Sequence, residues 1–336
     1  MQTRPIIACA ALATALSSAA MALEPVAEFG PNPGDLAMFE HLPDGPVAGL
    51  PVVLALHGCA QSADRFDDET GLTALAEAVP FVLVLAEQSR RNNPFACFNW
   101  FSKRDNRPGA GESASLRRMV EHAVETHDLD RSRVFVMGLS AGGSMTAVML
   151  ANYPELFAGG AILAGTPFDC NRPHGFSSGL WFWTSMSLGD GAAAALSCGL
   201  RPYDTKDRTR QDWADAVRAV AGTTPARWPR VSIWFGDRDR VVDPANLGEL
   251  VEQWTELHGT GRRADQQESI AGATRWVYAD PSGATAVEAW LVQGFPHAVP
   301  IDADGAPAHC GREADFIADA DLCAVRRIAA FWGLLP

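Results

Sequence analysis

Short apolar runs alternate with amphipathic stretches along most of this chain. Pro51 to Leu56, Phe81 to Ala86, Val134 to Met137 and Ala158 to Ala164 carry almost nothing polar, and Arg230 to Phe235 has one internal serine. Runs this short, without polar alternation, predict strands covered on both faces, as in a parallel sheet. Between them, Ser62 to Ala78, Glu112 to His127, Ser144 to Asn152, Arg210 to Val220 and Ala245 to His258 read as helices. In the second of these, Leu116, Met119, Val120, Ala123 and Val124 share one face at helical spacing. Ser62 is placed to cap the first. Thr274 to Tyr278 and Ala286 to Val292 form the arms of a hairpin across Asp280-Pro281-Ser282-Gly283. Ala314 to Trp332 is expected as one closing helix, and the Pro/Gly-rich residues 23–50 suit an N-terminal arm or edge hairpin. Strands alternating with helices, without repeats or a low-complexity linker, predict an α/β fold with a mostly parallel central sheet.

One junction carries candidate chemistry. After the strand at Val134 to Met137 comes Gly138-Leu139-Ser140-Ala141-Gly142, and then a helix. G-x-S-x-G between a strand and a helix is the pattern of a nucleophile elbow, whose serine is lifted from the sheet on a tight turn. The bare pattern is weak, since Gly175-Phe176-Ser177-Ser178-Gly179 matches it too. That second match follows Asn171-Arg172-Pro173-His174, which cannot be a core strand, so Ser177 reads as a loop serine.

A serine hydroxyl needs a base within hydrogen-bond reach, itself oriented by a third group. On α/β-hydrolase folds the partners follow in the order Ser, acid, His. Asp239 leaves the end of the Arg230 to Phe235 strand and fits the acid; Asp237, in the tight turn, and Asp243, before Pro244, compete with it. His297, in a loop after the last strand, fits the base. His57 ends a buried strand and reads as structural, as does His309 beside Cys310; His122, His127 and His258 lie on helices. The oxyanion donors are expected at the backbone amides of Ala141, next after the nucleophile, and of Cys59, in the loop after the first buried strand.

Composition adds an address. Met1 to Ala22 reads as a secretory signal peptide ending in Ala20-Met21-Ala22, which leaves residues 23–336 as one catalytic domain. Its removal takes away Cys9 and Arg4 and leaves six cysteines, whose pairing sequence alone leaves open. Six cysteines in a secreted chain suggest disulfides. The net charge of −13 disfavours nucleic acid and anionic membrane surfaces as partners. No run after the leader is long enough to span a bilayer, so no stable membrane association is expected.

Several blocks together resemble the polyhydroxybutyrate depolymerase family of secreted esterases, which is similar to feruloyl and acetylxylan esterases within the α/β-hydrolase group. They are Leu56-His57-Gly58-Cys59-Ala60-Gln61, Cys97-Phe98-Asn99-Trp100-Phe101, Gly138 to Gly143, Tyr153 to Ala158, Gly236 to Val242, and Cys310 with Cys323 to Leu334. The resemblance implies an α/β-hydrolase fold with helices on both faces of the sheet, and a triad of Ser140, Asp239 and His297. It further implies oxyanion donors at Cys59 and Ala141, disulfides Cys59–Cys97 and Cys310–Cys323, and no metal or organic cofactor; Cys170 then remains for Cys198. The implied substrate is an ester, a polyester oligomer or an acylated polysaccharide. Family members often carry a tryptophan two residues after the histidine, where this chain has Val299. Trp100, Trp181 and Trp183, on loops expected at the sheet's C-terminal edge, are candidates for touching the substrate.

Overall fold

The computed structural model describes residues 23–171, 198–199, 208–222, 224–304 and 310–335. The expected leader, Ser177, Trp181, Trp183 and His309 lie outside the described residues. Five strands precede the site's first turn or form it: β1 (Glu24–Val26), β2 (Ala37–His41), β3 (Val52–Leu56), β4 (Val82–Glu87) and β5 (Val134–Leu139). Five more follow: β6 (Gly159–Leu163), β7 (Arg230–Gly236), β8 (Gln266–Ile270), β9 (Ala273–Ala279) and β10 (Thr285–Val292). They join in one sheet in the order β1-β2-β4-β3-β5-β6-β7-β10-β9-β8. From β4 to β10 every neighbouring pair is parallel, and antiparallel pairs border this block on both sides. The apolar runs form the parallel block because helices cover both of its faces. Every residue of β3, β5 and β6 is buried.

The helices among the described residues are α1 (Ala63–Thr70), α2 (Leu72–Ala78), α3 (Gly111–His127), α4 (Ala141–Asn152), α5 (Arg210–Ala221), α6 (Ala245–His258) and α7 (Ala324–Trp332). None is long and apolar enough to cross a membrane. Where one helix is expected from Ser62 to Ala78 there are two, broken at Gly71 with φ 75°. The Ser62 hydroxyl donates to Asp64 instead of capping, and the Ala63 amide donates to the Glu87 carboxylate at 2.8 Å.

The closing helix is also shorter than its sequence suggests. Ile317–Asp319 forms β12, which pairs in parallel with β11 (Val299–Ile301), and helix begins only at Ala324. Phe316 and Asp321, at φ 67° and 50°, cannot belong to a right-handed helix. β8 also has no signature in the sequence, because Gln-Gln-Glu-Ser-Ile on an exposed edge lacks an apolar face.

Register between β7 and β10 sets the level at which both strands end. Trp234 pairs with Trp290, and their rings stack at 4.4 Å with planes 8° apart. Gly236 and Val292 then finish side by side. The Asp237 amide donates to the Val292 carbonyl at 3.0 Å, and the Arg238 amide to that of Phe295, also at 3.0 Å. A Cβ on Gly236 would run into the Phe295 and Pro296 carbonyl oxygens, so the turn out of β7 lies directly against the chain that leads to His297. Gly236→Ala is therefore expected to lower the unfolding free energy by about 3 kcal/mol, read as the shift of a urea midpoint at unchanged slope. An unchanged midpoint would show that the two loops do not depend on each other's backbone.

Candidate active site

Ser140 stands between β5 and α4 with φ 57° and ψ −118°, a conformation that side chains other than hydrogen rarely adopt. Its amide donates to the Leu163 carbonyl at 2.9 Å, and its own carbonyl accepts from Ser144 at 2.8 Å, so the turn is held from both ends. The flanking glycines make room for it. A Cβ on Gly142 would strike the carbonyls of Leu56 and His57, and one on Gly138 would lie 2.5 Å from Gly142. Ser140 remains half-exposed at the start of a helix whose first amides lack intrahelical acceptors, a setting that favours developing negative charge.

Asp239 and His297, the expected acid and base, follow neighbouring strand ends. His297 Nδ1 is bonded to Asp239 Oδ2 at 2.6 Å, and both side chains are buried. Asp239 Oδ1 accepts from the Val241 and Val242 amides at 2.8 and 2.9 Å. The carboxylate is thus aimed by its own loop before it meets the ring. Asp237 instead accepts from the Gly294 amide, and Asp243 from the Ala245 amide at the start of α6. Leu139 pairs with Leu163, Ile162 with Ile233, and Trp234 with Trp290, so the ends of β5, β6, β7 and β10 bring Ser140, Asp239 and His297 to one edge of the sheet. Ser140 and the ring are related through this ladder; the hydrogen bonds among the described residues include none between them. Unliganded sites often close that contact only around substrate.

The loop after β3 packs beside the elbow. Neither the Cys59 amide nor the Ala141 amide donates to an acceptor among the described residues. His57 shapes this loop rather than serving as a base. Its Nδ1 faces the Gly58 carbonyl at 2.7 Å, its Nε2 faces the Gln88 amide at 3.1 Å, and burial depresses its pKa to about 4 despite the Gly58 bond. His127 contacts Glu40, and His258 the Pro229 carbonyl. A Cys59–Cys97 disulfide ties the loop to the stretch holding Trp100; Cys170–Cys198 and Cys310–Cys323 are the other two bridges. Trp100 is half-buried against the cluster of Cys170, Cys198 and Trp213. A cavity of about 410 Å³ between Arg133, Phe135, Arg230 and Trp332 opens where the strands begin, at the opposite end of β5 from Ser140.

Comparison with known proteins follows the same lines. The family described as Esterase PHB depolymerase matches residues 36–277. Poly(3-hydroxyalkanoate) depolymerase C of Paucimonas lemoignei is 37% identical over 319 residues, 95% of this chain and 72% of the relative. Feruloyl esterase B of Thermothelomyces thermophilus is 30% identical over 298 residues, 88% of this chain and 94% of the relative. Among solved structures, an acetyl xylan esterase from Aspergillus awamori superposes with a TM-score of 0.72 at 22% identity, covering 94% of this chain and all of that one. This last likeness establishes the α/β-hydrolase fold.

A buried acid that the sequence does not announce braces the stretch joined to the loop after β3. Glu112 opens α3 fully buried, although only its helix's apolar face was legible. Its carboxylate accepts from the Asn99 amide at 2.7 Å and from the side chains of Asn99, Gln88 and Asn92. This network fixes the stretch from Gln88 to Asn99 that the Cys59–Cys97 bridge joins to the loop after β3. The one available signal was an acidic residue in a helix's first turn, which more often faces solvent.

Burial raises the Glu112 pKa from 4.5 to about 8, against the opposing pull of the Asn99 and Gln88 bonds. Folding therefore favours the protonated form. The stability this contributes is full below pH 4.5 and is lost as pH rises through about 8. Between those limits the wild type should lose roughly 1–4 kcal/mol relative to Glu112→Gln. Urea titrations of both proteins across that range check it; parallel stability curves would contradict it.

Proposed function

This chain belongs to the PHB depolymerase family of esterases and is a carboxylic ester hydrolase; from that premise we propose that it cleaves short-chain hydroxyalkanoate esters or oligomers through an acyl-serine intermediate on Ser140. The observation that carries this reading is the 2.6 Å bond between Asp239 and His297 at the sheet edge where Ser140 turns outward. In the proposed sequence, His297 Nε2 takes the Ser140 proton as Oγ attacks the ester carbonyl carbon. Asp239 holds the opposite ring nitrogen and stabilises the imidazolium. The amides of Cys59 and Ala141 receive the negative charge that grows on the carbonyl oxygen. Collapse expels the alcohol, protonated by His297. Water, deprotonated by the same ring, then attacks the acyl group, and its proton returns to Ser140 as the carboxylic acid leaves. Trp100 is proposed to contact the substrate.

A hydroxyalkanoate substrate is favoured by the 37% identity to a poly(3-hydroxyalkanoate) depolymerase. The second reading, an aryl or acetyl ester of plant cell-wall polysaccharide, draws on the feruloyl and acetylxylan esterases among the relatives. A third, a non-catalytic binding protein on the same scaffold, has no observation in its favour. Three disulfides and the leader-like Met1 to Ala22 support a secreted protein with a single catalytic domain over residues 23–336. The acidic balance argues against nucleic acid as a partner.

Release of 3-hydroxybutyrate, ferulate and acetate from matched esters should favour the first; activity on the latter two alone would replace the proposed substrate. Ser140→Ala and His297→Ala should each lower kcat by about 10⁴-fold or more, and the double variant should lose no more than either single one. Losses that multiply would mean that the two side chains act independently, against the mechanism.

A further inference from the structure

Phe316 is among the few large apolar side chains exposed in the described residues, with 42% of its surface open. Its ring stands edge-on to the imidazole of His297, with centroids 6.0 Å apart and planes at 81°. Nothing about its backbone is relaxed. At φ 67° it occupies the left-handed region, which costs a bulky residue far more than glycine. The turn around it is closed at both ends: the Ala314 amide donates to the Ile317 carbonyl at 3.0 Å, and the Ile317 amide to that of Ala314 at 3.1 Å. Position and dihedral match the third residue of a tight turn, which normally calls for glycine or asparagine.

The strained residue is also tied to the base. Its carbonyl accepts from the Val299 amide at 2.9 Å, two residues beyond His297, and β11 and β12 extend that contact into a small ladder. The Cys310–Cys323 disulfide closes the segment that presents it. Burial does not explain the arrangement, because a ring this open recovers only part of its hydrophobic free energy. A backbone held in an unfavourable conformation to present an exposed aromatic ring beside a reacting group marks a contact surface for a ligand.

We propose that Phe316 is a specificity-determining residue that walls the leaving-alcohol subsite, selecting esters with an apolar alcohol portion. The assignment to the alcohol side rests on the acyl-serine reading above. In that reading His297 delivers its proton to the departing alcohol oxygen, so whatever flanks the ring flanks the alcohol. An aliphatic chain, such as the next unit of a hydroxyalkanoate oligomer, would lie against the phenyl face and exclude water from the imidazole.

A leaving-group series with the acyl group held constant tests this. Hexyl butyrate and methyl butyrate are compared on the wild type, Phe316→Leu and Phe316→Gly, with fluorophosphonate labelling of Ser140 reporting on the triad itself. Phe316→Gly should lose about tenfold in kcat/KM on hexyl butyrate, mostly through KM, and about twofold on methyl butyrate. Phe316→Leu should fall between. Phe316→Gly should still be labelled, and its thermal midpoint should be no lower than the wild type's, since glycine relieves the dihedral. Equal losses on both esters would assign Phe316 to mere support of His297 and overturn the subsite, as would no loss on either. A wild type that is neither labelled nor active on either ester would overturn the acyl-serine reading, and the subsite with it.

Discussion

The site depends first on the close approach of the turn at Ser140 to the end of β3. Gly142 lies so near the Leu56 and His57 carbonyls that no side chain fits between them, and a Cβ on Gly138 would lie 2.5 Å from Gly142. One contact thereby does two things. It forces Ser140 into the positive-φ conformation that turns its hydroxyl out of the sheet, and it brings the loop of Cys59 alongside the first amides of α4. The Cys59–Cys97 bridge and the Glu112 network then hold that loop from the far side. A distortion of about 1 Å here would move the Ser140 hydroxyl away from the Cys59 and Ala141 amides, and the proposed acyl transfer tolerates little of that.

Asp239 and His297 are delivered by a different device, the equal ending of parallel strands. Each strand of the block from β5 to β10 leaves the sheet at the same edge, so residues far apart in sequence meet above it. The Trp234–Trp290 stack and the tight turn at Gly236 fix the level at which Asp239 and His297 emerge. The ion pair between buried Glu288 and partly exposed Arg275 reinforces this register. Glu288 on β10 bonds Ser232 on β7 and Arg275 on β9, linking three adjacent strands beneath the tryptophans. The Asp239 loop then needs only its own amides to aim the carboxylate.

Most of this frame was legible because it follows from periodicity. Apolar runs of strand length gave β3 to β7, and the residues that end them gave the turn at Ser140 and the Asp239 loop; the hairpin arm β10 led to the His297 loop. What escaped was whatever depends on contacts distant in sequence. The polar β8 has no buried face to announce it. The break at Gly71 and the late start of α7 are tertiary, since residues 310–323 fold back as a turn and a strand rather than continue as helix. Glu112 looked like a surface residue because its partners, Gln88, Asn92 and Asn99, lie 24, 20 and 13 positions away. Phe316 gave no sign at all, because nothing in a sequence reveals that a phenylalanine will take a glycine's place in a turn.

The proposed chemistry requires the acyl group to pass through Ser140. Rapid acid quench of the protein with an activated butyrate ester, followed by intact mass and peptide mapping, measures this directly. A butyryl adduct is predicted on the peptide containing Ser140, formed within the first turnover and lost on longer incubation. Turnover of the ester with no adduct on that peptide, or with the acyl group on another residue, would contradict the account.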